Sequence, residues 1–290
     1  MVSVTFQGWK LETSCLRERQ KHNLNISPFL PSKEGLEKRQ EKSKLNLTEL
    51  YEMIWRGSFP AVAIHSEIDR NLFYSSYVQT YIQRDIRDLA QVGNELSFLR
   101  FLKVIAARTS QQLNYADIAR DSDISSNTAK SWLSLLCASG IVYLLEPYHN
   151  NLNLRLTKTP KIYMLDTGLC AWLTQWSSSE TLESGAMSGA ILETWVVAEI
   201  LKSYWHTGNS APLFYYRDKD QHEIDLIFDC DGTLFPVEIK KTAAPNLAHA
   251  KHFSVLEKLK KPIGTGLVLS LYSEYLPLNR HVIAMPIGNI

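Results

Sequence analysis

Two carboxylates and a lysine fall within one short stretch, His222-Glu-Ile-Asp-Leu-Ile-Phe-Asp-Cys-Asp-Gly-Thr-Leu-Phe-Pro-Val-Glu-Ile-Lys240. Asp225 and Glu238 are oxygen donors of the kind that Mg²⁺, or Mn²⁺, accepts, and a cation so held also binds substrate phosphate. Lys240 is placed to orient an attacking water or to neutralise charge developing on a phosphodiester. The chemistry implied is metal-dependent phosphodiester hydrolysis, with Asp225, Glu238 and Lys240 as its catalytic residues. An ordinary solvated hairpin with charged residues on its outer face has much the same pattern, because strands routinely alternate polar and apolar positions.

Two strands must position these groups. Ile224, Leu226 and Phe228 alternate with Glu223, Asp225 and Ile227, which predicts a strand with Asp225 on its more polar face. Phe235, Val237 and Ile239 alternate in the same way with Pro236, Glu238 and Lys240. Between them, Cys230-Asp-Gly-Thr233 carries the Asp-Gly signal of a hairpin turn. Period-two geometry sends Glu238 and Lys240 to one face, and the hairpin brings Asp225 beside them. Upstream, Ile191, Leu192, Trp195, Val196, Ile200, Leu201 and Tyr204 recur at helical spacing and predict a helix over 187–207. Glu193 lies beside that stripe, either facing the sheet or as a solvated first-turn acid favoured by the helix dipole. Leu213 to Tyr216 reads as a strand, 245–261 as a second helix with Pro at its start, and 263–271 and 281–287 as later strands.

Helix, three strands, helix, strand, with an acid in the first helix and Asp…Glu-x-Lys in the second and third strands, resembles the restriction-endonuclease-like PD-(D/E)xK core. The match covers roughly the last hundred residues. By that resemblance Glu193, Asp225 and Glu238 are the metal ligands and Lys240 assists attack by water. Ile224 stands where the family name has Pro, and the second helix carries no clear Gln-x-x-x-Tyr.

Leu113 to Ile124 predicts a short helix and turn, and Ser125 to Gly140 a second helix with a polar start and a Gly stop. Ala129, Trp132, Leu133, Leu136 and Cys137 form its apolar stripe. Ser125, Asn127, Thr128 and Lys130 crowd its amino-terminal end, where a recognition helix meets bases and phosphates. With Ile141 to Leu145 as a following strand, the stretch resembles a winged helix-turn-helix. Lys130 is the lone basic residue on the proposed recognition helix, and winged helices also serve as protein-packing modules.

Further phrases are Tyr51-Glu-Met-Ile-Trp-Arg-Gly-Ser-Phe-Pro60, Tyr81-Ile-Gln-Arg-Asp-Ile86, Pro160-Lys-Ile-Tyr-Met-Leu-Asp-Thr-Gly-Leu169 and Tyr215-Tyr-Arg217. From about Leu47 to the end, the chain resembles the domain of unknown function found C-terminal to prokaryotic AAA+-like ATPases. That resemblance implies a winged helix and a nuclease-like domain preceded by a P-loop ATPase. No Gly-x-x-x-x-Gly-Lys-Ser/Thr occurs, so no ATPase activity is expected of this chain. Asn25 to Pro31 resembles the end of the ATPase core, so a truncated copy or one half of a split gene is expected. The implied partners are DNA and a separate ATPase subunit; an oligomer stays open, as does a catalytically silent DNA-binding or ATPase-docking module.

The expected fold class is α+β: a polar leader over 1–46, a helical winged-helix domain over 47–176 and a nuclease-like α/β domain over 177–290. Ser177 to Thr181 is expected to join the two, and the leader to be loose unless packed on a partner. Arg84, Asp85, Arg87 and Asp88 suit surface ion pairs or a partner contact. Asp166 suits the cap of a helix, and Arg217 a carboxylate-paired or phosphate-facing role. Basic and acidic residues balance at 31 and 30, net charge +1, which argues against a general nucleic-acid coat and leaves local patches. The clearest is Lys240, Lys241, Lys251, Lys258, Lys260 and Lys261. Cys15, Cys137, Cys170 and Cys230 form no Cys-x-x-Cys pair and predict reduced thiols. No apolar run approaches the roughly 20 residues of a membrane span, and no signal-peptide core is evident, so a cytoplasmic location is expected.

Overall fold

A computed structural model of the chain describes residues 4–6, 9–11, 28–40, 43, 45–81, 95–151 and 158–290. Arg84, Asp85, Arg87, Asp88 and Cys15 lie outside the described residues. The chain forms two compact units, one from 1–22, 50–144 and 162–198, the other from 23–49, 145–161 and 199–290.

The first unit contains a short antiparallel pair, β1 (Val4–Phe6) and β2 (Trp9–Leu11), and is otherwise mainly helical. Its helices begin with α1 (Leu47–Arg56), α2 (Pro60–Ile64), α3 (Arg70–Tyr81) and α4 (Glu95–Ala107). A helix–turn–helix follows as α5 (Tyr115–Ser122) and α6 (Ser126–Ala138). Asn114 caps α5 by accepting the Ala116 and Asp117 N–H groups, and Asp123 ends it in the left-handed region at φ 57°. Ser125 then caps α6 through the Thr128 N–H, and Gly140 leaves it at φ 69°. The predicted stripe is buried at Ala129, Trp132, Leu133 and Leu136, with Trp132 edge-on to Phe98 and Phe101 of α4. Strand β3 (Val142–Leu145) pairs with β4 (Lys161–Met164).

Next come α7 (Thr167–Leu173), α8 (Ser179–Ser184) and α9 (Ser188–Trp205), the last running into the second unit. The expectation of a joining segment at Ser177 to Thr181 is corrected: Ser178 and Thr181 form a capping box that starts α8. Asp166, 3% exposed, organises the middle of this unit. It caps α7 through the Leu169 N–H at 2.6 Å and accepts the Ser58 N–H and hydroxyl at 2.6 and 2.9 Å. It also accepts the Tyr74 hydroxyl at 2.8 Å. Arg70 lies over the Trp55 ring and donates to the Trp55 and Gly168 carbonyls. Gly57, at φ +89°, has no room for a Cβ, which would stand 2.1 Å from the Tyr74 hydroxyl. The phrases Trp55-Arg-Gly-Ser58 and Leu165-Asp-Thr-Gly168 are therefore two halves of one buried polar junction.

The second unit begins with the described part of the polar stretch, and the expectation of a loose leader is corrected there. Phe29 is fully buried, 5.8 Å from the Phe228 ring, and its backbone is tied to Ser203 and Tyr204. A short helical turn at Lys33–Glu37 buries Leu36, and Arg39 lies over Phe29 and donates to the Asn289 carbonyl. The charged residues that make this stretch read as solvated surround two apolar anchors.

The sheet of this unit runs β5 (Leu213–Arg217), β6 (Glu223–Cys230), β7 (Thr233–Ile239), β8 (Gly266–Ser270), β10 (Val282–Pro286), β9 (Leu276–Pro277) in spatial order. The β5–β6–β7 meander is antiparallel, whereas β8 is parallel to both β7 and β10. Glu146 to Tyr148 extends the sheet beyond β5 through backbone bonds with Tyr215. The predicted second helix is corrected to two 3₁₀ segments, Leu247–Ala250 and Phe253–Leu259, the first capped by Asn246. Leu247, Ala250, Phe253, Leu256 and Leu259 recur every third residue, and side chains three apart eclipse in a 3₁₀ helix. The run therefore buries Ala250, Phe253 and Leu256 along one line, with Leu247 left exposed.

Candidate active site

The β6–β7 hairpin turns at Asp231 and Gly232, both at positive φ (50° and 81°), as the Asp-Gly signal requires. From there the two strands pair regularly back to Leu226 opposite Val237. Against β5 the register breaks: Phe214 faces Ile227 and Tyr216 faces Ile224, so Asp225 and Leu226 together stand opposite Tyr215. That β-bulge overturns the simple alternation read from the sequence. Ile224 and Ile227 lie in one core cluster with Tyr216 and Leu234, instead of on opposite faces. A bulge bends its strand and re-aims a side chain, here at the position of Asp225.

Asp225 Oδ2 accepts the Ile239 N–H at 2.8 Å, which ties it to the end of β7. The Lys240 N–H donates to the Leu269 carbonyl, holding the next residue against β8. Glu238 and Lys240, two apart, share a face, and the lysine ammonium stands 2.6 Å from Glu238 Oε2 and 3.6 Å from Asp225 Oδ2. Glu238 is 3% exposed. Burial pushes its carboxyl up to about 9, the neighbouring Asp225 charge adds to this, and Lys240 opposes it. Asp225, Glu238 and Lys240 thus converge as the sequence predicts.

Two residues before Asp225, Glu223 is clasped by Lys161 at 2.5 Å and Arg217 at 3.3 Å. Arg217 is therefore carboxylate-paired. Glu193, on α9, accepts the Tyr163 hydroxyl at 2.6 Å, an interaction within the first unit. In the helix–turn–helix, Ser125 and Thr128 serve the α6 cap, their hydroxyls 2.8 Å apart, while Asn127 and Lys130 are exposed. Lys130 rests over the Tyr115 ring. Of the lysine patch, Lys261 pairs with Asp229 and Lys258 approaches Asp218, leaving Lys241, Lys251 and Lys260 on exposed positions.

Sequence reasoning missed one grouping. Asp218, Asp220 and His222 each offer a ligand atom within 4.8 Å of the others, a spacing visible as Asp-x-Asp-x-His. The Asp218 carboxylate is already engaged, accepting the Asp220 and His222 N–H groups and facing His222 Nδ1 at 3.0 Å. Those bonds build the β5–β6 turn and give the grouping a structural reason.

Two family models match the chain. Residues 47–180 match Domain of unknown function (DUF8612), and residues 188–290 match Domain of unknown function (DUF4143), which is often found with AAA-like ATPases. The chain is similar to "Uncharacterized protein Mb2031c" of Mycobacterium bovis and "Uncharacterized protein Rv2008c" of Mycobacterium tuberculosis, each 26% identical over 239 residues. Each alignment covers 82% of this chain and 53% of the relative, so the chain spans about half the length of these relatives. No solved structure matches. Among the described residues no helix is long and apolar enough to cross a membrane.

Proposed function

We propose that Asp225, Glu238 and Lys240 form a divalent-metal phosphodiesterase site acting on DNA, in a protein that works alongside an ATPase. The observation that carries this is the convergence of two carboxylates and an ammonium within 3.6 Å, from two strands and across a bulge. A surface hairpin has no need to bury Glu238 against a second acid, since like charges in one site cannot both ionise without a compensating cation. The donor set is all oxygen and suits a hard cation such as Mg²⁺ or Mn²⁺. Asp225 and Glu238 would hold the ion; when bound, it would supply polarisation of the phosphodiester and a water of lowered pKa.

The chain's own residues account for the rest. Hydrolysis joins a water oxygen to phosphorus and expels a sugar oxygen, and negative charge grows on the non-bridging oxygens. Lys240 donates to those oxygens or orients the water. Asp225 is fixed in the site by the Ile239 N–H, which donates to Oδ2, the same oxygen that faces the Lys240 ammonium. The Glu223–Lys161–Arg217 clasp holds the strand that enters the bulge.

The helix–turn–helix favours a second reading for the first unit, as a packing surface more than a DNA reader. The arginines on and beside it face acids: Arg120 pairs with Asp117, Arg108 pairs with Asp121 and Arg100 of α4 approaches Asp123. Affinity for duplex DNA grows with the number of phosphates neutralised, and Lys130 alone supplies little. A catalytically silent ATPase-docking module is the corresponding alternative for the whole chain. Mg²⁺-dependent cutting of labelled DNA that disappears in Asp225→Ala supports the phosphodiesterase; salt-sensitive DNA binding without cutting supports the silent module.

A further inference from the structure

We propose that the Lys240 ammonium is a built-in competitor for a divalent cation, a side chain that must swing out before Asp225 and Glu238 could hold the metal. The inference rests on the phosphodiesterase reading above and adds a gate to the same site. Its ground is geometric. The ammonium approaches Glu238 Oε2 to 2.6 Å and Asp225 Oδ2 to 3.6 Å, so it addresses one oxygen of each carboxylate at once. A cation held by these two carboxylates would compete with the ammonium for them.

The groups around it differ in freedom. Glu238 and Asp225 have side chains 5% and 14% exposed, and Asp225 is further held by the Ile239 N–H. Lys240 has a side chain 36% exposed, on a flexible four-carbon stem that can follow solvent outward. Its backbone stays fixed by Leu269, so the ammonium moves while the strand does not. The lysine places a positive charge against the buried acid pair whenever the metal does not. Displaced towards solvent, the same ammonium would become available to a phosphodiester, so loading the metal and presenting the lysine to substrate are one movement.

The test is metal binding without nucleic acid. Full-length wild type, Lys240→Met and Glu238→Gln are titrated with Mn²⁺, following free Mn²⁺ by electron paramagnetic resonance, with circular dichroism as the check of folding. In parallel, acylation of Lys240 in the wild type is mapped by peptide mass analysis with and without Mn²⁺. The expected result is Mn²⁺ binding at least tenfold tighter in Lys240→Met, weaker binding in Glu238→Gln, and Lys240 acylation that rises when Mn²⁺ is added. Wild-type binding that Lys240→Met leaves unchanged or weakens, with acylation indifferent to Mn²⁺, overturns the gate and leaves the metal site standing. Absence of Mn²⁺ binding in every folded variant overturns the metal site and the gate together. Should Lys240→Met not fold, the wild-type acylation alone decides.

Discussion

Glu238 is the residue on which the chemistry and the stability of the site pull apart. Its carboxyl is held well above its ordinary value of 4.5 by burial and by Asp225. The folded chain therefore keeps a proton that the unfolded chain has released. Stability contributed by this group is full below about 4.5 and falls as pH rises towards its folded value of about 9. Glu238→Gln lacks that slope. It is expected to be more stable than the wild type at pH 8 by roughly 1–3 kcal/mol, with the difference shrinking at pH 5. Urea unfolding at the two pH values checks this; a variant less stable at pH 8 would show that the carboxylate is structural. Asp166 is buried for a structural purpose, its side-chain oxygens accepting from Leu169, Ser58 and Tyr74. Asp166→Ala is expected to cost about 3–5 kcal/mol in the same measurement, because it strands buried donors.

At the scale of elements, the caps carry the predictions. Asn114→Ala removes the acceptor for two N–H groups at the start of α5 and is expected to cost about 1 kcal/mol by urea unfolding, without altering cleavage. Gly57→Ala meets Tyr74 and Asp166 at a positive φ and is expected to cost more than the cap variant, read in the same way. The elements also show what a sequence can and cannot give up. The Asp-Gly turn, the α6 stripe and the Asp166 cap were legible because each is a local pattern with one physical solution. The bulge at Asp225 was not, because an extra residue in β6 is defined by its register against β5, ten positions away at Phe214–Tyr216. The 3₁₀ run from Leu247 was read as a helix because Leu247, Phe253, Leu256 and Leu259 satisfy both periods loosely; Ala250 makes the strict period of three. The polar start hid Phe29 and Leu36, two apolar anchors in a charged stretch too short to show periodicity. Asp218 and His222 escaped notice because their role is to close a turn.

For the whole molecule, charge sets the terms of any contact with nucleic acid. A net charge of +1 and ion-paired arginines around α5 and α6 leave few phosphate contacts to be made. Binding of the chain alone to duplex DNA is expected to be weak, with Kd on the order of 10⁻⁴–10⁻⁶ M at physiological salt. Fluorescence anisotropy across a salt series checks it, and nanomolar affinity would contradict it. The 239 aligned residues make up 53% of each listed relative's length. The central claim is that Asp225, Glu238 and Lys240 are one hydrolytic site. The most direct test is cleavage of labelled single- and double-stranded DNA with Mg²⁺ or Mn²⁺ by the wild type, Glu238→Ala and Lys240→Ala at matched folded concentration. Cutting by the wild type that falls by at least about a hundredfold in both variants is the predicted result. Metal-dependent cutting that survives in either variant would contradict it, as would a folded, DNA-binding wild type that does not cut with either metal.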